Sequence, residues 1–231
     1  MEMSRFDPQA QNSELQKEVD SNRIKAGVYR RGSQSPLPRS TMPPTIHLVR
    51  HGQGYHQLED LHQHRQIHDP LLTHYGYQCC DRFNENFPEY VHVDLVCASP
   101  LRRTILTAQH CFRGRLAGTP SGRILLLPLA QETTAEPCDV GSDVETLKAQ
   151  FGPLIDTKLM SADWMKKDGI NAADVSTLRL RAREMRRWLR RLPVESVVVV
   201  GHGGFWDYVT EVVSDEGLGK AAGCDRSAGV R

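Results

Sequence analysis

The chain of 231 residues lacks the features that would assign it to several special classes of protein. No apolar run approaches the roughly 18 residues that a membrane span needs, and residues 1–20 contain no signal-peptide core. Lysine and arginine number 29 against 28 acidic residues, so the net charge of +1 provides no general attraction to nucleic acid or anionic lipid. We therefore expect neither membrane nor nucleic acid among its partners.

The six cysteines also lack a pattern that is typical of disulfide-bonded or zinc-binding domains. No CxxC pair occurs, and the spacing differs from that of small secreted domains. Buried or bystander thiols are the favoured interpretation, and a redox pair formed by the adjacent Cys79 and Cys80 is the alternative. We predict reduced thiols in a cytoplasmic protein, with the nucleus as the alternative compartment.

Residues 1–44 have almost no aliphatic periodicity and are rich in Pro, Ser, Gln and Arg. A segment of this kind buries too little apolar surface to fold, so we predict a disordered polar leader. Residues 45–231 are expected to form one folded domain, because 39% hydrophobic residues suffice for one core at this length. The Gly- and Ala-rich end from about residue 214 is expected to be atypical or truncated.

Short apolar runs alternate with helical patterns in the folded part. The predicted buried strands are 45–49, 94–98, 124–127 and 196–200. One helix is predicted from a Thr73 cap to about Phe87, and a second follows Arg103 and runs to about Cys111. A third is predicted over 178–192, and a last helix begins near Phe205. Residues 113–122 are predicted to be a loop, and residues 133–169 short helices and turns that cover the sheet edge. The alternation predicts an α/β fold, a three-layer αβα sandwich with a mainly parallel central sheet.

Polar side chains follow each of the four predicted strands. Arg50 and His51 come directly after the first strand, and Arg103 lies just beyond the second. Glu132 follows the third strand, and His202 follows the fourth. Because right-handed crossovers bring the carboxyl ends of parallel strands to one edge, we expect these five residues to share a pocket.

These residue types suit phosphoryl transfer. Two guanidinium groups near one point bind a phosphate or carboxylate in a bidentate manner. Their charge lowers the pKa of a neighbouring histidine, which keeps its imidazole neutral and nucleophilic. A carboxyl group such as that of Glu132 is able to protonate a leaving alcohol. The set requires no metal or other cofactor.

Four blocks of sequence resemble the histidine phosphatase superfamily, which has the phosphoglycerate-mutase-like fold. The blocks are Arg50-His51-Gly52, Ser99-Pro100-Leu101-Arg102-Arg103-Thr104, Gln131-Glu132 and Gly201-His202-Gly203-Gly204. They occur in the order of the family, each after a predicted strand. The stretch Gln53-Gly54-Tyr55-His56, with Asp69-Pro70 and Leu72-Thr73, is similar to the fungal phosphoglycerate-mutase-like branch.

The resemblance implies catalytic roles for five residues of these blocks. His51 would be the nucleophile that forms a phosphohistidine, and Arg50 and Arg103 would bind the phosphate. His202 would donate a hydrogen bond to the transferring group, and Glu132 would donate the proton. The further candidates for substrate binding are Gly52, Gln57, Ser99 and Gly203. Gln57 stands where members of the family often have asparagine. For Ser99, capping of the next helix is at least as favoured an alternative.

The leading hypothesis is a metal-independent phosphohydrolase that acts on a small phosphate monoester. A phosphomutase is the nearest rival, although the acidic and tryptophan-bearing residues that follow the first motif in true mutases are missing. A catalytically weak module that binds phosphate or a partner protein is the alternative from another class. Glu136 and Asp139 are alternatives to Glu132 as the acid, and Arg102 is interpreted as the solvated neighbour of Arg103.

Two clusters have a second interpretation. The histidines at positions 56, 62, 64 and 68 raise a metal site as an alternative, but without an HExxH motif or carboxylate partner a polar loop is favoured. The seven arginines between residues 179 and 191 are predicted to form the solvated face of an amphipathic helix. An acidic partner or nucleic acid on that face is the alternative.

Overall fold

The computed structural model describes residues 43–58, 61–88 and 92–211, without the side chains of Leu61 and His62. The predicted leader lies almost entirely outside these residues, as do the predicted atypical C-terminal end and Cys224. The five cysteines that are described are free thiols. No helix in the described ranges combines the length and apolarity needed to cross a membrane.

The described residues form a five-stranded sheet of parallel strands. The strands are β1 (Thr45–Arg50), β2 (Leu95–Ala98), β3 (Ile124–Leu126), β4 (Ile155–Asp156) and β5 (Ser196–Gly201). Their spatial order is β1-β5-β2-β3-β4, and each neighbouring pair is parallel. The central strand β5 is buried along its whole length, as its valine run predicts. The predicted parallel sheet is therefore confirmed.

Helices cover both faces of this sheet. They are α1 (Leu61–His64), α2 (His74–Asn86), α3 (Arg102–Cys111), α4 (Arg113–Leu116), α5 (Val144–Phe151), α6 (Val175–Arg190) and α7 (Gly203–Val209). Side chains of β2 alternate between two cores: Val96 belongs to the core with Ile105 of α3, and Cys97 to the core with Met185 of α6. This arrangement confirms the αβα sandwich.

Three local predictions were wrong in detail. The loop predicted over residues 113–122 begins with α4, and β4 lies in a region predicted to contain only helices and turns. Helix α7 begins at Gly203, directly after His202, rather than near Phe205. By contrast, Thr73 caps α2 as predicted, because its Oγ1 accepts a hydrogen bond from Gly76 N at 3.0 Å.

Asp69 connects the start of α3 to its own loop and to the loop that contains Ser142. It is fully buried with a φ of 42°, in the left-handed region that aspartate tolerates. Its Oδ1 accepts from the backbone N of Arg102 at 2.9 Å, and its Oδ2 accepts from Ser142 N at 3.0 Å and Ser142 Oγ at 2.7 Å. Arg102 Nε in turn donates to the Asp69 carbonyl at 2.8 Å. The prediction that Arg102 is a solvated neighbour was therefore wrong, because this residue orients the helix that carries Arg103.

Replacing Asp69 by asparagine tests this connection. Asn tolerates the same backbone conformation but removes the charge and one acceptor, so we expect the free energy of unfolding to fall by about 1–3 kcal/mol. Urea denaturation measures it. The control is Glu145→Gln, because the side chain of Glu145 is 82% exposed and its ion pair in the described ranges is with Lys148 at 3.0 Å. The free energy of unfolding of this variant should change by less than about 0.5 kcal/mol. Equal midpoints for Asp69→Asn and the wild type would contradict the role of Asp69.

Candidate active site

The order of the strands brings the predicted polar residues to one sheet edge. Strands β1, β5, β2 and β3 are neighbours, and their carboxyl ends lead into His51, His202, Ser99 and the loop that carries Glu132. The backbone N of His51 donates to Gly201 O at 3.0 Å, which holds the ends of β1 and β5 together. The rings of His51 and His202 are 5.1 Å apart between centroids.

His51 is held as a neutral imidazole with a defined tautomer. Its Nδ1 lies 2.7 Å from the carbonyl oxygen of Gly52, and because a carbonyl only accepts, Nδ1 carries the ring proton. Burial is the main reason why the pKa of His51 lies well below its usual value, and the positive charge of Arg103 is the next. Smaller electrostatic effects of His56 and Arg50 act in the same direction. The lone pair of Nε2 is therefore available at neutral pH.

His202 is fully buried between a hydroxyl and a guanidinium. Its Nε2 lies 2.9 Å from Ser99 Oγ, and its Nδ1 lies 3.3 Å from Arg103 Nη2. Since a guanidinium only donates, Nδ1 accepts and Nε2 carries the proton that is donated to Ser99. Burial, followed by Arg103 and His51, holds the pKa of His202 well below its usual value. Ser99 does not cap α3, whose N-cap is Leu101 without a side-chain hydrogen bond.

Arg103 is completely buried beneath these two imidazoles. Its Nη1 donates to the carbonyl oxygen of Cys138 at 2.6 Å, and its Nη2 forms an ion pair with Asp139 Oδ1 at 2.9 Å. Its Nε is buried without a hydrogen-bond partner among the described residues. Asp139 therefore balances the charge of Arg103, and the Nε–H of the guanidinium has no partner among the described residues.

Glu132 is the carboxylate that faces the histidines. Its Oε2 lies 3.9 Å from His202 Nδ1, and its Oε1 accepts from the backbone N of Thr133 at 2.9 Å. Burial, and then the negative charge of Asp139, raises the pKa of Glu132. Of the two alternatives, Asp139 is paired with Arg103, and Glu136 is half-buried and pairs with Arg65 at 3.1 Å. The geometry thus singles out Glu132 as the acid nearest to the imidazole pair.

Arg50 and Gly203 lie against each other at the open side of the site. Arg50 is exposed, and within the described ranges no carboxylate lies within ion-pair distance of its guanidinium. A Cβ atom on Gly203 would lie 3.3 Å from Arg50 Nε, so the glycine leaves space for this side chain. An anion that enters the site therefore meets Arg50 without competition from a carboxylate of the described residues.

The other two candidates for substrate binding make contacts within the protein. The backbone N of Gly52 donates to Thr107 Oγ1 at 3.0 Å, and a Cβ on Gly52 would lie 3.0 Å from Cys80 Sγ. Gly52 is therefore needed for the close approach of β1 to α2. Gln57 Oε1 accepts from the backbone N of Gly54 at 3.0 Å, which leaves its amide NH₂ group as a donor.

His56 is a site residue that sequence reasoning missed. Its ring lies 5.5 Å from that of His51, and burial together with Arg103 and Arg50 lowers its pKa to about 3. Its position five residues beyond His51, on the chain that leaves the strand end, is the signal that was available. In the part of the chain that is described, no group of three or more His, Cys, Asp or Glu residues is arranged to hold a metal ion.

Arg181 was also missed, and the prediction of a solvated arginine face was wrong at this position. Its Nη2 donates to the carbonyl oxygens of Gln131 at 3.1 Å and Glu132 at 3.0 Å, and the side chain is fully buried. The guanidinium carbon lies 4.3 Å from the ring centroid of Phe205. Arg181 lies three residues after Leu178 on the apolar face, a position that signals a buried arginine. It connects the loop of Glu132 to α7.

Comparison with known proteins gives consistent results. A probable phosphatase of Schizosaccharomyces pombe is 31% identical over 162 residues, which cover 69% of this chain and 74% of the relative. A phosphoglycerate mutase-like protein of Arabidopsis thaliana is 27% identical over 197 residues, which cover 70% of this chain and 71% of the relative. Relatives of this kind therefore occur in a plant as well as in a fungus.

The fold is shared with a solved structure, the ecdysone phosphate phosphatase of Bombyx mori in complex with tungstate. The two align with a TM-score of 0.53 at 17% identity, over 80% of this chain and 85% of the other. The sequence model of the histidine phosphatase superfamily (branch 1) matches residues 46–222, which include all four sequence blocks. The predicted resemblance is confirmed, and the chain belongs to branch 1 of the histidine phosphatase superfamily.

Proposed function

We propose that this protein is a metal-independent phosphohydrolase that cleaves a small phosphate monoester through a phosphohistidine on His51. The observation that carries the proposal is the tautomer of His51. Its proton is held at Nδ1 by the Gly52 carbonyl, so Nε2 presents a lone pair beside His202. Membership of the superfamily and the likeness to a probable phosphatase support hydrolysis as the reaction.

Binding of the phosphate follows from the charges of the site. Three histidines are neutral because their pKa values are lowered, so the attraction for a phosphate dianion comes from Arg50 and Arg103. Arg50 is exposed, and Arg103 offers its unpaired Nε–H. The Ser99 hydroxyl, whose oxygen accepts from His202 Nε2–H, has its own hydrogen to donate. These groups replace the charge stabilisation that a metal would supply.

In the first step, the lone pair of His51 Nε2 attacks the phosphorus atom as the bond to the ester oxygen breaks. The protonated Glu132 gives its proton to the leaving oxygen and becomes a carboxylate. The raised pKa of Glu132, which burial causes, keeps it protonated at higher pH than an ordinary glutamate. The Ser99 hydroxyl, whose oxygen accepts from His202 Nε2–H, donates its own hydrogen to an oxygen of the transferring group.

In the second step, a water molecule attacks the phosphorus atom of the phosphohistidine. The Glu132 carboxylate accepts a proton from this water, the P–N bond breaks, and inorganic phosphate leaves while His51 regains its lone pair.

Two alternative functions remain. A phosphomutase differs only in the second step, because a second alcohol accepts the phosphoryl group in place of water. A binding module without turnover is the other alternative. The observation in its favour is that both terminal nitrogens of Arg103 already contact the protein, which leaves fewer donors for a transferring phosphoryl group.

The first prediction concerns the phosphorylated residue. Brief incubation with ³²P-labelled phosphate ester and a quench without acid should label His51, because its proton is held at Nδ1 and its Nε2 lone pair is available, whereas the Nδ1 lone pair of His202 accepts from Arg103. The label should be acid-labile and base-stable, as a phosphoramidate is. Peptide mass spectrometry locates it, and His51→Ala is the control that should remain unlabelled.

The same experiment on His202→Ala separates the two histidines. This variant should label more slowly and release phosphate more slowly, by about a hundredfold as expected for loss of a charge-stabilising donor, with the label still on His51. In the wild type, label on His202, on a serine or on an aspartate would overturn the mechanism. Turnover without any label would indicate direct attack by water.

The second prediction concerns Glu132 as the general acid. Glu132→Gln should lower kcat/KM for 2-glycerophosphate by roughly a hundredfold or more, because the alkoxide leaving group needs a proton. The loss for 4-nitrophenyl phosphate should be under about tenfold, since its phenolate leaves unaided. Glu136→Gln is the matched control on the half-buried glutamate of the same loop, which pairs with Arg65. Equal losses for the two substrates would exclude proton donation by Glu132.

The pH profile provides a further readout of the same assignment. The lowered pKa of His51 keeps the nucleophile neutral under mildly acidic conditions, and the raised pKa of Glu132 keeps the acid protonated there. Activity toward 2-glycerophosphate should therefore be high at acidic pH and fall as the pH rises through the pKa of Glu132. A fall on the acidic side near the usual histidine pKa would contradict this assignment.

The third prediction concerns metal. Since arginines and imidazoles balance the phosphate charge, kcat/KM measured after dialysis against EDTA should stay within about twofold of the untreated value. The site predicted here does not involve His64 or His68. Loss of activity that zinc or manganese restores would instead place a metal at the histidines of residues 56–68.

A further inference from the structure

The segment that follows β4 is attached to the candidate active site through Gln131. Gln131 is fully buried next to Glu132, and its Nε2 donates to the backbone oxygen of Trp164 at 3.0 Å. The indole of Trp164 is itself buried and lies so close to Gly141 that a Cβ there would collide with it. Gln131 also contacts a lysine three residues further along this segment, Lys167.

Lys167 is turned inward, unlike the lysine beside it. Its Nζ donates to Gln131 Oε1 at 3.1 Å, and the residue is half-buried. Lys166 is exposed, and its Nζ pairs with Asp163 at 2.8 Å. Within the described ranges, no carboxylate lies within ion-pair distance of Lys167 Nζ. A partly desolvated ammonium whose hydrogen-bond acceptor is a neutral amide is costly without a nearby anion.

The charged groups around Lys167 do not supply that anion. Arg181 and Arg103 are positive, and Asp139 is bound by Arg103 at 2.9 Å. Glu132 accepts from the Thr133 backbone, and burial raises its pKa, which favours its neutral form. The pKa of Lys167 is lowered to about 8, mainly by burial and by Arg181, so the group remains largely charged at neutral pH. It therefore has a positive charge and spare N–H donors to offer a ligand.

The place of Lys167 indicates which part of a ligand it meets. The scissile phosphate has to contact His51 Nε2 and the arginines, whereas Lys167 is bound to the residue next to Glu132. Glu132 is the group that protonates the leaving oxygen in the proposed reaction. Lys167, which is bound to the residue before Glu132, is therefore expected on the side of the leaving alcohol, beyond the phosphate itself.

We propose that Lys167 binds a second anionic group carried by the leaving alcohol. The substrate class is then a phosphate monoester whose alcohol also has a carboxylate or a second phosphate near the ester. This inference rests on the proposed function, because it takes Glu132 as the acid and the phosphate as the group held by His51. It makes Lys167 a specificity-determining residue.

The test compares two aryl phosphates that differ in one charge, carboxyphenyl phosphate and its carboxamide, carbamoylphenyl phosphate. Both the 3- and the 4-isomers are used, so that the reach of Lys167 does not decide the result. The wild type should prefer the carboxylate ester of one isomer pair in kcat/KM. Lys167→Met should lower that preference about tenfold, as expected for loss of a charge-assisted hydrogen bond, and Lys167→Arg should retain most of it.

Two controls separate binding from a structural role. Lys166→Met removes the same charge from the neighbouring position and should leave the preference unchanged within about twofold, because an exposed charge is screened. If Lys167 only held the segment in place, Lys167→Met would slow both esters by the same factor. The preference should also disappear as the pH rises through about 8, where the ammonium loses its proton.

Affinity measurements keep this proposal separate from the proposed hydrolysis. Calorimetry on His51→Ala, which cannot form the phosphohistidine, gives the affinity of each ester without turnover. Adding Lys167→Met should weaken the carboxylate ester about tenfold more than the carboxamide. Where the Met variant is poorly folded, Lys167→Gln replaces it. Absence of turnover in the wild type would refute only the hydrolysis. An unchanged affinity ratio, or no binding of either ester, would overturn the role of Lys167.

Discussion

The buried ion pair of Arg103 and Asp139 is the interaction on which the rest of the site depends. A guanidinium with no exposed surface requires a counter-charge, and Asp139 provides it at 2.9 Å while the Cys138 carbonyl takes a second donor. The pair lies beneath both imidazoles, whose pKa values are lowered by burial and then by the charge of Arg103. Burial, followed by the charge of Asp139, raises the pKa of Glu132, whereas Arg103 opposes this shift. The pair therefore adds to the effect of burial, with Arg103 favouring neutral imidazoles and Asp139 favouring a protonated Glu132.

Two arginines that do not touch the imidazoles hold the surrounding chain in place. Arg102 binds the backbone of Asp69 and so fixes the start of α3, whose next residue is Arg103. Arg181 binds the carbonyls of Gln131 and Glu132 from the opposite layer of the sandwich. Each connects one loop at the sheet edge to a rigid helix. Precise placement of charged groups in such a site depends on supports of this kind.

The sheet, its parallel sense and the convergence of His51, His202 and Glu132 could be predicted from the sequence, because apolar runs followed by polar residues are local signals. Strand β4 could not, since Ile155–Asp156 is too short to show a period. The partner of Arg103 and the burial of Arg181 depend on the paths of loops that lie 36 and 50 residues away in the sequence. No pattern within a helix encodes contacts of that range.

The hydrogen bond between Gln131 and Trp164 uses the backbone oxygen of the tryptophan, not its side chain. Every amino acid offers that oxygen, so this hydrogen bond does not depend on which residue stands at position 164, whereas the packing of the indole against Gly141 does. The backbone contact would persist through substitutions in the rest of the segment. Relatives that diverge in this segment are therefore able to keep it attached beside Glu132 while they change the side chains that it presents.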